Sequence, residues 1–318
     1  MSSLESARSS SVESVWAVVT SFHPDDLGPG IARLAPQTDG VIVVDDGSGP
    51  AAAEQLDHAR ASGAEVVALP ENRGIAAALN AGIRRAFERG ADAVVTFDQD
   101  SSVDADFVST LVTLHDDLVE STPGGVAVVP QFFAGVDQTV VRAADGRLAA
   151  RNPIQSGMLL PRSVVDAVGL FREDFFIDLV DTEYALRCAS AGVAVMGAPG
   201  LRLHHRLGAR YRAHGWPLRR LGVLTLSAPF RYYYRMRNRI LLEKEYLPRF
   251  RSRLLRDGLI DRAHFLIVLL LARPRSAMWD TLRSAARDGR RGVGGRMPAA
   301  AAARARAISW DATRDDED

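Results

Sequence analysis

Residues 94–108 read VVTFDQDSSVDADFV. A β-branched run enters directly into Asp98, Gln99 and Asp100 and continues as Ser101 and Ser102. A buried strand ending in a polar turn accounts for this at its simplest. The chemical reading is sharper, because acids at alternate positions of an extended chain lie on the same side. A hard divalent cation takes oxygen ligands, keeps waters and substrate phosphates, and needs only one or two protein carboxylates. A D-x-D alone does not decide between turn and metal site, so the surrounding chain has to.

Over the first 200 residues the pattern of apolar run, polar turn and helix repeats. SVWAVVTSFHPD (14–25), VIVVDDGSG (41–49), AEVVALPENRG (64–74), ADAVVTFDQD (91–100) and VAVVPQFFAG (126–135) read as strands with their turns. LGPGIARLAPQ, AAAEQLDHARASG, IAAALNAGIRRAFERG and DADFVSTLVTLHDDLVE read as the intervening helices, two of them closed by glycine. This alternation predicts an α/β fold, a mostly parallel sheet flanked by helices. Ligands of such sheets bind outside the carboxyl ends of the strands, where this chain carries Asp45, Asp46, Asn72, Asp98 and Asp100. Further on, a hairpin is expected near ADGR (144–147), strand, turn and helix over 153–171, a helix over 181–193, and a strand over 194–208.

With 318 residues, 47% of them hydrophobic, the chain can bury a full core and an appended region. The single cysteine, Cys188, excludes an intramolecular disulfide framework and a multi-cysteine zinc site and fits a reducing compartment. The serine-rich start lacks the apolar segment of a signal peptide, so the expected location is cytoplasmic. The formal net charge of zero conceals an asymmetry: residues 1–200 carry 13 basic and 28 acidic side chains, residues 201–310 carry 25 and 6. A basic carboxyl-terminal third suggests a polyanionic partner. No nucleic-acid motif is present, so an anionic lipid surface or a phosphorylated substrate fits better. FLIVLLLA (265–272) is too short to cross a bilayer. With Trp279 it marks either a helical element on the inner face of the membrane or a subdomain packed on the sheet.

Other motifs narrow the chemistry. NRGIAAALNAG sets Asn72, Arg73 and Gly74 before a helix start, a place that favours anions. Neither G-x-x-x-x-G-K-[ST] nor a G-x-G-x-x-G after the first strand occurs, which argues against nucleotide hydrolysis and dinucleotide redox chemistry. FFIDLVDTEYALR (175–187) supplies Asp178, Asp181 and Glu183, either as helix caps or as a general base. LRLHHRLG contains His204 and His205, which point to opposite faces if the segment is a strand, so that one of them at most is a ligand.

In order, VVDDGS, ENRGIAAALNAGI, VVTFDQDS, QSGMLL, FFIDLVDTEYALR, H-x-x-G and SAPFRYYYRMRN resemble the family 2 glycosyltransferases, inverting enzymes of the GT-A fold, most closely bacterial rhamnosyltransferases. The resemblance spans about residues 15–240 and lacks the Q-x-x-R-W motif and transmembrane block of the cellulose and chitin branches. Composition gives a disordered 1–14, a helical basic region over 209–296 and a flexible tail over 297–318, and the resemblance implies a GT-A domain over 15–208. It also implies a nucleotide-sugar donor, dTDP-β-L-rhamnose, and a glycan or lipid-linked acceptor. Thr20, Asp45, Asn72, Gly74, Asp98 and Arg231 would then hold the donor. Asp100 and His205, with His204 in competition, would hold Mg²⁺ or Mn²⁺. Asp181 corresponds to the catalytic aspartate, although the usual preceding Glu is Val180 here, which keeps Asp178 as its competitor. Arg237 is assigned either to phosphate or to packing.

Overall fold

The strands of the amino-terminal half are runs of branched aliphatics whose side chains are lost to solvent on both faces of the sheet. Val18, Ile42, Val43, Val94 and Val95 are each 0% exposed, burial worth ~1.5–3 kcal/mol per side chain. The computed structural model describes residues 11–141, 146–205, 209–214, 220 and 222–315. It divides into two compact units, one of residues up to Arg172 with Asp181–Arg206, the other of Glu173–Val180 with Leu207–Asp318.

In chain order the first unit contains β1 (Val15–Ser21), α1 (Gly28–Leu34), β2 (Gly40–Asp45), α2 (Ala53–Ala61), β3 (Glu65–Ala68), α3 (Ile75–Glu88), β4 (Ala93–Asp98) and α4 (Phe107–Val119). There follow β5 (Val126–Phe133), β6 (Val136–Asp137), β7 (Thr139–Val141), β8 (Leu148–Ala150), β9 (Met158–Pro161), α5 (Arg162–Val168), α6 (Val180–Ala191) and β10 (Ala194–Leu203). The sheet order is β3-β2-β1-β4-β9-β5-β10-β8-β7, with β6 on β5. β3, β2, β1 and β4 are mutually parallel, as are β5 and β10. β9 enters antiparallel between β4 and β5. This is the expected α/β sheet, with β9 reversed inside it and the short strands β6 and β8 also antiparallel to their neighbours β5 and β10; the reversal of β9 brings its start beside the end of β4. The hairpin turn expected near 144–147 lies largely outside the described residues, but β7 and β8 on either side of it pair antiparallel.

Two glycines fix close approaches around this sheet. A Cβ at Gly82 of α3 would stand 2.3 Å from Val18 Cγ1, so the alanine-rich helix sits directly on β1. Gly47, in the turn after β2, has φ +73°, and a Cβ there would stand 2.2 Å from the carbonyl carbon of Glu71. The turns after β2 and β3 are thus in backbone contact.

The second unit contains β11 (Arg210–Ala213), β12 (Val223–Thr225), α7 (Arg231–Tyr246), α8 (Arg251–Leu271), β13 (Ala272–Arg273), α9 (Arg275–Arg291), α10 (Ala299–Arg306), β14 (Ser309–Trp310) and β15 (Ala312–Arg314). Tyr232, Phe265, Val268, Leu271 and Met278 form one part of its core, and Tyr233, Tyr234, Ala285 and Met297 another. The tail expected over 297–318 is instead structured to Arg314: Ala301 and Ala305 of α10 are buried, and β15 pairs with β11. Burial of small alanines on one helix face outweighs the low-complexity composition. Part of the basic charge is also balanced internally, since Asp261, 2% exposed, takes Arg235 at 2.5 Å and Arg239 at 2.7 Å. Among the described residues no helix is long and apolar enough to cross a membrane.

Gly47→Ala is expected to lower stability by about 2–4 kcal/mol, because it adds a left-handed penalty to a backbone collision. Chemical denaturation at fixed pH measures it, and an unchanged midpoint would contradict the contact between the two turns.

Candidate active site

The strand ends converge as expected, but their acids are not equivalent. Asp45, 2% exposed, accepts the Ser48 N–H at 2.9 Å and its hydroxyl at 2.5 Å. Asp45 therefore closes its own turn, and a nucleoside would meet it only in exchange for Ser48. Asp46, 5% exposed, accepts the N–H groups of Arg73 at 2.7 Å and Gly74 at 2.9 Å. Burial raises its pKa, opposed by those two backbone bonds. Gly74, φ +90°, is the N-cap of α3, so the anion expected at this helix start is supplied by the protein itself. Asn72 lies in the same loop, and its buried Oδ1 has no hydrogen-bond partner among the described residues. Thr20, 7% exposed, donates its hydroxyl to the Phe97 carbonyl at 3.3 Å. Its place is between β1 and β4, as a strand-to-strand tie.

At the end of β4 the antiparallel entry of β9 does its work. The Gln155 amide donates to Asp98 Oδ1 at 2.6 Å. The Asp98 N–H donates to the Ser156 hydroxyl at 3.1 Å, and that hydroxyl lies 2.8 Å from the Ser101 hydroxyl. Thr96 Oγ1 closes the set on the Gln155 carbonyl at 2.5 Å. Gln155 and Ser156 are 4% and 0% exposed. No role for QSGMLL is legible in the sequence, and the register of β4 with β9 supplies one. On the other side, Gln99 Oε1 accepts the Phe22 N–H at 2.7 Å, tying the end of β4 to the end of β1.

The turn so held presents Asp100, whose side chain is 44% exposed, to His205, 16% exposed, with Oδ1 3.3 Å from Nδ1. The pair is close but not aligned for a hydrogen bond, since the buried His205 Nδ1 finds none among the described residues. Backbone bonds between Ser102 and His204, at 2.9 and 3.0 Å, bring the end of β10 here. They turn the two imidazoles apart: His204 is 62% exposed and 3.9 Å from Asp104, whereas the His205 ring packs 4.8 Å from Phe133. Gln99, Asp100, Ser101 and His205 line one cleft with Asp25 and Asp26. The three other residues of the H-x-x-G motif lie outside the described residues.

Known proteins resemble this chain in sequence and in fold. Residues 17–136 match the family model "Glycosyl transferase family 2". A curated relative, dTDP-rhamnosyl transferase RfbF of Shigella flexneri, is 27% identical over 296 residues, covering 88% of this chain and 97% of its own. Among solved structures, GalNAc-T7 with UDP, GalNAc and Mn²⁺ aligns with a TM-score of 0.50 at 13% identity, over 61% of this chain and 44% of that one. TarS of S. aureus (residues 1–349) with UDP-GlcNAc aligns with a TM-score of 0.49 at 13% identity, over 88% and 92%. In its amino-terminal half the chain is similar to the family 2 glycosyltransferases. The fold is of the GT-A kind, and the activity class is sugar transfer.

Within this glycosyltransferase the remaining acids also separate. Glu183 is 0% exposed and forms a two-point pair with Arg187, at 3.1 and 2.9 Å, so it stabilises α6. Asp178 is held by Arg231 at 2.8 and 3.2 Å. Arg231, expected on a donor phosphate, is thus engaged with a carboxylate. Asp181, in the first turn of α6, accepts the Thr182 N–H at 2.7 Å. Arg237 is 0% exposed and donates to main-chain carbonyls, which assigns it to packing. Cys188 is buried, with its thiol pushed up to about 12 by desolvation, and is inert.

Removing Arg187 takes a two-point pair from the buried Glu183 and a donor from the Val168 and Leu170 carbonyls, and Arg187→Met is expected to cost ~3–5 kcal/mol. Thermal unfolding of Arg187→Met beside the double variant Glu183→Leu/Arg187→Met checks this, the double change recovering most of the loss.

Proposed function

We propose that this chain is an inverting, metal-dependent rhamnosyltransferase that moves L-rhamnose from dTDP-β-L-rhamnose to a hydroxyl of a cell-surface glycan or lipid-linked acceptor. The observation that carries the reading is the Asp100–His205 pair at the carboxyl edge of the sheet, two ligand atoms facing one another without a hydrogen bond. Asp100 would hold Mg²⁺ or Mn²⁺ through its carboxylate, and His205, as a nitrogen ligand, would favour Mn²⁺ of the two. When bound, the cation supplies charge neutralisation for the nucleoside diphosphate leaving group. Similarity to RfbF over nearly its whole length supports rhamnose as the sugar.

The chain's own residues account for the rest. Asp98, oriented by the Gln155 amide, contacts the donor ribose. Asp181 takes the proton of the acceptor hydroxyl as that oxygen attacks the anomeric carbon. The bond from that carbon to the diphosphate oxygen breaks, and its electron pair leaves with the diphosphate. Attack from the opposite face inverts the centre and yields an α-L-rhamnoside. Asp178 is the weaker choice of base, since both of its oxygens are engaged by the Arg231 guanidinium.

The carboxyl-terminal unit suits an anionic membrane surface. Leu255, Leu259, Leu266 and Leu270 of α8 are 43–68% exposed and recur at positions that share one helix face. Arg251 and Arg256 are exposed on the same helix, and Trp279 is 56% exposed on α9. Apolar burial and attraction to anionic headgroups act together on such a surface.

Wild-type protein incubated with dTDP-β-L-rhamnose, UDP-galactofuranose and UDP-glucose is expected to turn over the first alone, with Mn²⁺ and not with EDTA. Asp100→Ala and His205→Ala should lose at least ~10²-fold, and Asp181→Asn ~10²–10⁴-fold, while His204→Ala stays near wild type. Turnover of another donor would sink the rhamnose assignment, and no donor binding by calorimetry would leave a silent scaffold. Separately, the protein should co-sediment with phosphatidylglycerol vesicles and not with phosphatidylcholine vesicles or DNA, and Leu259→Asp/Leu266→Asp should abolish that binding.

A further inference from the structure

Helix α9 carries five arginines against two aspartates over residues 275–291. Arg275, Trp279, Arg283, Arg287 and Arg291 recur at every fourth residue, with Arg290 between the last two, so they lie along one side of the helix. All six are exposed, whereas Met278, Thr281, Leu282, Ala285 and Gly289 are buried on the other side. Of the two acids, Asp288 accepts the Tyr233 hydroxyl at 2.5 Å, and Asp280 alone shares the exposed side. Elsewhere in this unit acids answer the arginines: Asp261 takes Arg235 and Arg239, Glu243 takes Arg262, and Asp178 takes Arg231. Arg283, Arg287, Arg290 and Arg291 have no ion pair among the described residues.

No contact within the chain offsets this crowding of charge. Arg283 with Arg287, and Arg287 with Arg290 and Arg291, are like-charge pairs at helical spacings of three and four, which destabilise a helix. The helix dipole favours Arg290 and Arg291 in the last turn, but it does not reach Arg283 and Arg287. A negative partner outside the chain would offset the repulsion. From Trp279 to Arg291 the face runs ~18 Å, which matches an extended layer of charge better than a single anion. Its apolar points favour lipid over nucleic acid: Trp279 is 56% exposed, and Val293, just past the end of the helix, is 48% exposed. An indole beside arginines fits the headgroup level of a membrane. We propose that α9 is the charge-reading face of the carboxyl-terminal unit, lying along several phosphate headgroups of an anionic lipid layer and setting which membranes the protein selects. The inference rests on the membrane reading given above and adds a division of labour to it. The leucines of α8 supply apolar insertion, and the arginines of α9 supply discrimination by charge.

Co-sedimentation of the full chain with phosphatidylcholine vesicles containing increasing fractions of phosphatidylglycerol tests it. Arg283→Gln/Arg287→Gln, which keeps helix propensity, is expected to weaken binding roughly 25-fold, about fivefold for each basic residue near an anionic surface. Its dependence on salt should flatten as well. Arg283→Lys/Arg287→Lys should bind as wild type does, and Asp280→Asn should bind about fivefold tighter. None of the three should lower the thermal midpoint, so that a loss of binding is not a loss of fold. If the glutamine variant keeps wild-type affinity and salt dependence while Leu259→Asp/Leu266→Asp abolishes binding, α9 does not face the headgroups, and the inference falls with the membrane reading intact. A wild type that binds no phosphatidylglycerol vesicle overturns both. Capture of duplex DNA, or a lipid-free oligomer, that the glutamine variant loses would assign the face to another partner and overturn the inference too.

Discussion

The amide of Gln155 holds Asp98 Oδ1 at 2.6 Å, and the order of the site follows from that bond. It exists because β9 runs against β4, so the residues entering β9 meet the residues leaving β4. With Ser156 on the Asp98 N–H and beside the Ser101 hydroxyl, the turn after β4 has one conformation. From there Ser102 pairs with His204, and the next residue places its imidazole on Asp100. A buried hydrogen-bond network of this kind is stronger than the same groups would be in water, and costly if any member is left unsatisfied.

A second theme is how the protein disposes of negative charge. An acid brought to a strand end or helix start is costly unless something donates to it. Ser48 donates to Asp45, the Arg73 and Gly74 backbone to Asp46, Arg187 to Glu183, and Arg231 to Asp178. Each of these carboxylates answers a structural need. Asp100 differs: it is 44% exposed and faces an imidazole nitrogen without a hydrogen bond. The contrast, more than the number of acids, is what the proposed cation site rests on.

Much of the fold was legible from residue order. Alternating β-branched runs and helices terminated by glycine predict the parallel strands β1 to β4, because burial on both faces removes the polar positions that would otherwise interrupt them. The reversal of β9 was not legible, since a four-residue apolar strand reads alike in either direction. The segment over 297–314 was misjudged for a related reason. Alanine and arginine repeats look like a solvated tail until a groove exists to receive the small side chains of Ala301 and Ala305.

At the site, the sequence alone determined which chemistry was available: acids at the carboxyl ends of strands, a histidine pair after β10, and an aspartate at a helix start, in the order of a nucleotide-sugar transferase. Local spacing carries that much because strand and helix periodicities are local properties. Tertiary structure decided the assignments. It paired Arg231 with Asp178, buried Arg237 against main-chain carbonyls, gave α3 an internal anion in Asp46, and turned His205 inward and His204 out. Each of these depends on a partner tens of residues away, and hydrogen-bond direction and burial exist only once the chain has folded.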